Sequence, residues 1–541
     1  MPSRSTIRLI LLFAVALLAV EAAGAAAADP FPGQNRKWVY YQSPNFELYG
    51  ANGDRTSRDI LEKLELLRAV VLDTFKLKVR LPQPVTIYSF DREKDFNGYL
   101  PPDRRKGDVQ WAGFCRSDAD RTVIIIAPAA DREATAEVVF HEYIHYLFRI
   151  TEQRPAPWFN EGVAELYSTM QEDGQWLELG QPIPGRIPEL RQGELMPFNE
   201  LFGVTDESPI FRNSNHTGKF YAQSWAFLHF CCFGLNGIPP EKMHLFLQVA
   251  GSPKARALGN QFESVCRELL GYDYPGLRER LHAYIEIGRF QGRRVPRPPI
   301  AAKSSYAARP PAAGEMSARL AELSLRFAQE PYANWYILDR VEHVPDNRLC
   351  ELLGALALQK GENDVARDQW TKAMSLGSAN AAIYHELGRL EANVVLDSFN
   401  LDSQLPPGRT DWLRQLLAKS IECAPEQSMA YEQLAWVEAA TGKANLANVN
   451  LVQKRFSTLN DQPLALLAMI IVRWRLGDTP TVLHLLDSLD KMQPNGWVAY
   501  WAEVVRARAE NRPPNREKLD ALRQNPLAPF RLELPKLDLS R

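Results

Sequence analysis

Apolar residues recur along this chain at two spacings, one suited to strands and one to helices. In Lys37-Trp38-Val39-Tyr40-Tyr41 and Phe46-Glu47-Leu48-Tyr49, short aromatic-rich runs flank Ser43-Pro44-Asn45, which predicts two strands joined by a turn. Ile60, Leu64, Leu67, Val71 and Phe75 then follow at steps of three and four, the apolar stripe of a helix. The uninterrupted runs PVTIYS (84–89) and TVIIIA (122–127) have the length and branching of buried strands. Between them, VQWAGFC (109–115) suits either an edge strand, to which an extended chain can add by backbone hydrogen bonds, or a plain hairpin. From Asp131 to Ile150 the spacing is helical, and beyond Trp158 nearly every segment up to Gly288 reads as helix divided by Gly or Pro. The first half is therefore expected to be α+β, a small mixed sheet plus helices.

Residues 291–315 break the pattern: they are rich in Pro, Ala and Arg and have no apolar period, the composition of a flexible linker. The expected boundaries are 29–290 for the first domain and 316–541 for the second. Beyond the linker the chain is helical and repetitive. Leu353-Gly354 and Leu387-Gly388 are 34 residues apart, Leu434-Ala435 takes the same place after an interruption at about 394–408, and the turns at Gly442 and Gly477 are 35 apart. With Gly354, Ala357 and Tyr384 at matching positions, residues 345–510 resemble three or four degenerate tetratricopeptide repeats. The resemblance implies an all-α solenoid whose concave face binds a protein partner, or one that only caps the first domain.

At 541 residues, 45% hydrophobic and 24% charged, the composition is globular and the chain too long for one hydrophobic core. The 63 Lys and Arg nearly balance the 65 Asp and Glu, so no global field selects nucleic acid. Residues 1–28 have the make-up of a removed export signal: Arg4 and Arg8, an apolar stretch from Ile7 to Val20, and Ala26-Ala27-Ala28 as a cleavage site. A retained anchor is the rival reading, but the stretch is shorter than the roughly 20 residues a spanning helix needs. A periplasmic or secreted protein without a membrane span in its mature form is expected. Six cysteines without metal-finger spacing read mainly as buried free thiols.

The chemistry concentrates in His141-Glu142-Tyr143-Ile144-His145, followed by Asn160-Glu161-Gly162-Val163-Ala164-Glu165. On a helix, residues four apart lie one turn above each other, so His141 and His145 can offer their imidazoles to one zinc ion. Glu142 falls about 100° round from His141, off the metal yet within reach of a water held by it. Such a site needs one more donor and leaves a fourth position for that water. Glu161, after a Pro-containing loop and at the start of a new helical pattern, is the expected third ligand. Glu165, one turn on, either takes that place or stands behind a histidine, accepting a proton from its far nitrogen. A Gly and then a His shortly after His145, the metzincin arrangement, is absent.

Residues 136–168 resemble the gluzincin metallopeptidases, in particular the bacterial peptidase MA-like group, whose helix pair reads H-E-x-x-H and then N-E-G-x-A-E. The likeness continues at WVYYQSPNFELY (38–49) and at Tyr221-Ala222-Gln223-Ser224-Trp225, spanning roughly residues 37–290. It implies a zincin-like catalytic domain holding one zinc ion on His141, His145 and Glu161, with Glu142 as catalytic base for hydrolysis of a peptide or protein. The G-x-M-E-N element of aminopeptidases is missing, and aminopeptidase activity is not implied. Related peptidases place a Tyr or His from a following helix over the metal; Tyr221 is the candidate here and His216 its rival. The alternative function is an interaction protein that keeps a relic zinc domain, but a relic has no reason to keep Glu142. Hydrolysis of a non-peptide amide uses the same ligands and remains a third reading.

Overall fold

Strands β1 (Val39–Gln42) and β2 (Phe46–Gly50) form the expected antiparallel hairpin. Its turn is fastened by Glu65, whose carboxylate accepts from Ser43 Oγ at 2.7 Å and the Asn45 amide at 2.8 Å. Glu65 belongs to α1 (Asp54–Phe75), on which Leu61, Leu64, Leu67 and Val71 are fully buried. The computed structural model describes residues 31–519, apart from 78, 80, 82, 103–112, 129–131, 151–154, 193, 207, 213, 236–237, 253–254, 256–257, 345, 397–400, 403, 426–427, 456–462, 493, 495 and 518. The expected export signal and the first part of the 109–115 stretch lie outside the described residues.

The main sheet has six strands in the order β4-β5-β3-β2-β1-β9, built from β3 (Val85–Ser89), β4 (Gly113–Ser117), β5 (Thr122–Ile126) and β9 (Ala307–Arg309) besides the hairpin. Strands β2, β3 and β5 are parallel and the remaining pairs antiparallel. Both faces are covered, which is why β3 and β5 are continuous apolar runs with every residue buried. Leu48, Ile87, Ile124 and Ile126 face the core formed with α1 and with α2 (Arg132–Ile150) and α3 (Pro157–Ser168). Tyr49, Tyr88, Val123 and Ile125 point the other way, into a core shared with helices beyond residue 315. The two halves of the chain thus meet across one sheet.

Two expectations need correction. Residues between Trp158 and Gly288 are not all helical: β6 (Gln171–Asp173) and β7 (Trp176–Leu179) form a hairpin around Gly174 and pair onward with β8 (Arg293–Pro296) in a second, three-stranded sheet. The stretch 291–315 is therefore no free linker. It supplies β8 to one sheet and β9 to the other, and its basic residues close on α1, where Arg297 bonds Glu62 at 2.6 Å and Lys303 bonds Asp59 and Glu62 at 2.8 Å each. Ion pairing to a folded helix and the closing of two sheets fix a segment whose composition alone suggests mobility.

Past α4 (Arg186–Arg191) and α5 (Ser214–His229), which belong to the first half, the chain from Glu315 is helical among the described residues. Helix α6 (Asn347–Gln359) is capped by Asp346, which accepts from the Leu349 amide, and packs on α7 (Asn363–Ser375) across a turn at Gly361. Gly354 is required there, since a side chain at this position would collide with the Trp370 indole. Further helix pairs follow, with members starting at Ala381, Ser428, Pro463 and Gly496. The fold is α+β, and no helix among the described residues is long and apolar enough to cross a membrane. All six cysteines are free thiols.

Buried ions bind the helical half to the sheet. Arg326, fully buried, donates from Nη1 to Asp120 at 3.0 Å and from Nε to Glu322 at 3.1 Å, and also holds Asp118. Arg348 joins Glu322 at 3.0 Å to Glu47 of β2, and Arg121 Nη2 reaches Glu351 of α6 at 2.6 Å. Burial alone would favour neutral acids at Asp118, Glu322 and Glu47, but the guanidinium groups around them hold all three below the ordinary carboxylate range.

Candidate metal centre

Helix α2 lies against β4 and α3, and its i,i+4 spacing turns His141 and His145 to one side. After Pro155, Pro157 occupies the first turn of α3, a position where its missing N–H costs nothing. Buried Trp158 and Phe159 then seat this helix in the aromatic core. Gly162 lets α5 come close: a Cβ at 162 would stand 2.8 Å from the Ser224 carbonyl oxygen. That approach brings Glu161, one residue before, and Tyr221, three residues before Ser224, to the same place.

Nε2 of His141 and Nε2 of His145 are 3.0 Å apart, and each is 3.3 Å from Glu161 Oε2. Among the described residues this is the one group of His, Cys, Asp and Glu side chains with three donor atoms so close together. A tetrahedral zinc ion with nitrogen and oxygen donors at roughly 2.0–2.2 Å sets those donors about 3.3–3.6 Å apart. Two of the three separations fall in that range and the third is a few tenths short. Glu161 Oε2 is buried yet makes no hydrogen bond of normal geometry, although two imidazoles adjoin it. A buried carboxylate oxygen without a hydrogen-bond partner is costly, and a cation is the partner that the chemistry of this donor set fits.

Charge at the site follows from the same geometry. Burial works against the imidazolium of His145, but the adjoining Glu161 carboxylate overrides it and raises the pKa to about 9. Glu161, which burial alone would keep protonated, is held well below the usual carboxylate range by His145 and His141. A metal ion must then displace the proton on His145 while finding Glu161 already ionised, so uptake at pH 7 should release about one proton. Apparent affinity is expected to rise about tenfold per pH unit as the pH approaches the His145 value of about 9 from neutrality, then level off. Competition against a chromophoric chelator across that range measures the slope; a flat profile would show that no proton is displaced.

Behind this cluster, Glu165 Oε1 lies 3.5 Å from Nδ1 of His141, the far nitrogen. Glu165 thus stands beside the ring of His141 and outside the three-atom cluster. On His145, Nδ1 is buried, as is Asn160 Oδ1, and neither makes a hydrogen bond of normal geometry, although Asn160 favours the charged imidazole. Tyr221 on α5 is half-buried, with its ring centroid 6.3 Å from that of His141. The backbone of His216 lies on the first turn of the same helix, but its side chain is outside the described residues. Glu142 is half-buried; burial, and after it the Glu142 charge, pushes up the Cys115 thiol of β4.

One residue of the site has no signal in the sequence. Arg186, first in α4, donates from Nε to Glu165 Oε2 at 3.0 Å and from Nη2 to Oε1 at 2.8 Å, and lies 5.4 Å over the Tyr221 ring. No family model matches the chain, and no curated protein or solved structure is similar to it.

Proposed function

We propose that the chain is a zinc-dependent metallopeptidase of the gluzincin type acting outside the cytoplasm, with a zincin-like catalytic half and a tetratricopeptide-like solenoid behind it. The observation that carries this reading is the convergence of His141 Nε2, His145 Nε2 and Glu161 Oε2 at separations suited to one tetrahedral ion. His141, His145 and Glu161 would hold the ion, with Glu165 fixing the ring of His141. Zinc bound there would lower the pKa of a coordinated water toward about 7 and polarise a substrate carbonyl.

Glu142 takes a proton from the attacking water and returns it to the leaving amine, the work of a general base and then a general acid. Tyr221, with its ring centroid 6.3 Å from that of His141, would donate its phenol proton toward the developing oxyanion. Strand β4 is an edge of the main sheet among the described residues, the kind of position at which an extended peptide adds by backbone hydrogen bonds. Export, inferred from the N-terminal composition, would give the enzyme a periplasmic or secreted setting. The solenoid offers a surface for a protein partner, and its helix pairs are the support for that part of the reading.

The test is metal content together with cleavage of a quenched-peptide library by the purified chain. One zinc ion per chain and cleavage at defined bonds supports the proposal; bound zinc without cleavage would favour the interaction protein instead. Tyr221→Phe should lower kcat by about 10- to 100-fold with metal content unchanged. Equal turnover in the two proteins would remove the phenol from the mechanism.

A further inference from the structure

We propose that Arg186 is a positioning residue that holds the support of His141 and the ring of Tyr221 as one unit and keeps Glu165 away from the metal. The inference rests on the metallopeptidase reading above. Glu165 touches His141 at 3.5 Å, too long to orient a carboxylate by itself, whereas its two bonds to Arg186 at 2.8 and 3.0 Å form a bidentate fork. The direction of Glu165 is therefore set by Arg186. Both of its oxygens are engaged, while Glu161, one turn earlier on α3, keeps Oε2 free of normal hydrogen bonds. This difference selects Glu161 over Glu165 as the ligand.

The same guanidinium lies 5.4 Å from the centroid of the Tyr221 ring, within the reach of a cation–π contact. Helix α4, which Arg186 opens, is itself pressed onto the helix that carries Tyr221. Leu190 is buried, and a side chain at Gly218 of α5 would meet the Glu189 carboxylate 2.8 Å away. A lysine in place of Arg186 keeps the charge but cannot make the fork and offers no flat face to the ring.

Cobalt(II) in place of zinc gives a d–d absorption band that reports coordination without requiring turnover. For Arg186→Gln, the freed Glu165 carboxylate can join the ion as an added donor, so the molar absorptivity of the band should fall, and loss of the support behind His141 should lower metal affinity by about 10-fold or more. Restoration of the unmutated spectrum by Arg186→Gln combined with Glu165→Gln is expected. Arg186→Lys, the milder change should Arg186→Gln not fold, should give an intermediate spectrum. In the zinc form, Arg186→Gln should lower kcat more than it alters KM, and Tyr221→Phe should add little to it because the phenol has already lost its place. An unchanged spectrum and affinity in Arg186→Gln, or losses from Arg186→Gln and Tyr221→Phe that multiply independently, would overturn the proposal. If the unmutated zinc protein cleaves no peptide, the peptidase reading fails while the cobalt spectra still decide the role of Arg186.

Discussion

Glu142→Gln is expected to lower peptide hydrolysis by about 10²- to 10⁴-fold while leaving one metal ion per chain. The residue follows His141 on α2 and so lies about 100° round the helix from it, outside the cluster of donor atoms. Helix α2, which carries it, packs against β4, the edge strand along which an extended substrate would run. Glutamine has the same shape and is half-buried in the same place, so the fold has no reason to change. Metal analysis and library cleavage on the two proteins separate the base from the ligands. Full turnover by Glu142→Gln would mean that another group takes the proton, and loss of metal would mean that Glu142 belongs to the ligand set.

Arg326→Met should destabilise the fold by about 3–5 kcal/mol, because it leaves buried carboxylates without their partner. Asp118, Asp120 and Glu322 all meet this one guanidinium, and none of the four side chains reaches solvent. The pH dependence has a definite sign. Glu322 and Glu47 have lowered values in the folded chain against 4.5 for an ordinary glutamate, so their contribution is present above pH 4.5 and is lost as the pH falls through the lowered values. Urea midpoints at pH 7 measure the loss. Replacing Asp120 by Asn in the same chain should recover part of it by removing one unpaired charge. A midpoint unchanged from the unmutated protein would show that the network contributes specificity of packing and no net stability.

The pairing of His141 with His145 was legible because it depends on spacing alone: an offset of four residues on a helix decides which side chains share a face, and α2 preserves that spacing. Strands β3 and β5 were legible for the related reason that burial on both faces removes polar positions from the run. What escaped has its partner far away in sequence. The basic, Pro-rich stretch after Gly288 has the same composition whether solvated or paired, and Lys303 meets Asp59 across 244 residues. The β6–β7 hairpin did carry a local sign, the Asp173-Gly174 pair at its turn, which is outweighed by the helical spacing on either side. Arg186 bears no fixed offset to the histidines, and only the packing of α4 on α5 brings it to Glu165. Tyr221 was singled out by a likeness to peptidases, and the close approach of α5 at Gly162 explains physically how it comes within range of His141.

The ionic joint between sheet and helices also bears on how the protein is made. Arg348 lies 301 residues beyond Glu47, the carboxylate it neutralises, and Arg326 lies 208 beyond Asp118. At ribosomal rates of about 5–20 residues per second, β2 emerges on the order of 15–60 s before its counterion exists. During that interval the nascent sheet cannot bury its second face, since the acids on it still need water. Burial of that face is therefore timed by synthesis of the second half, and a ribosome that stops short of residue 348 releases a chain with this face of its sheet still open.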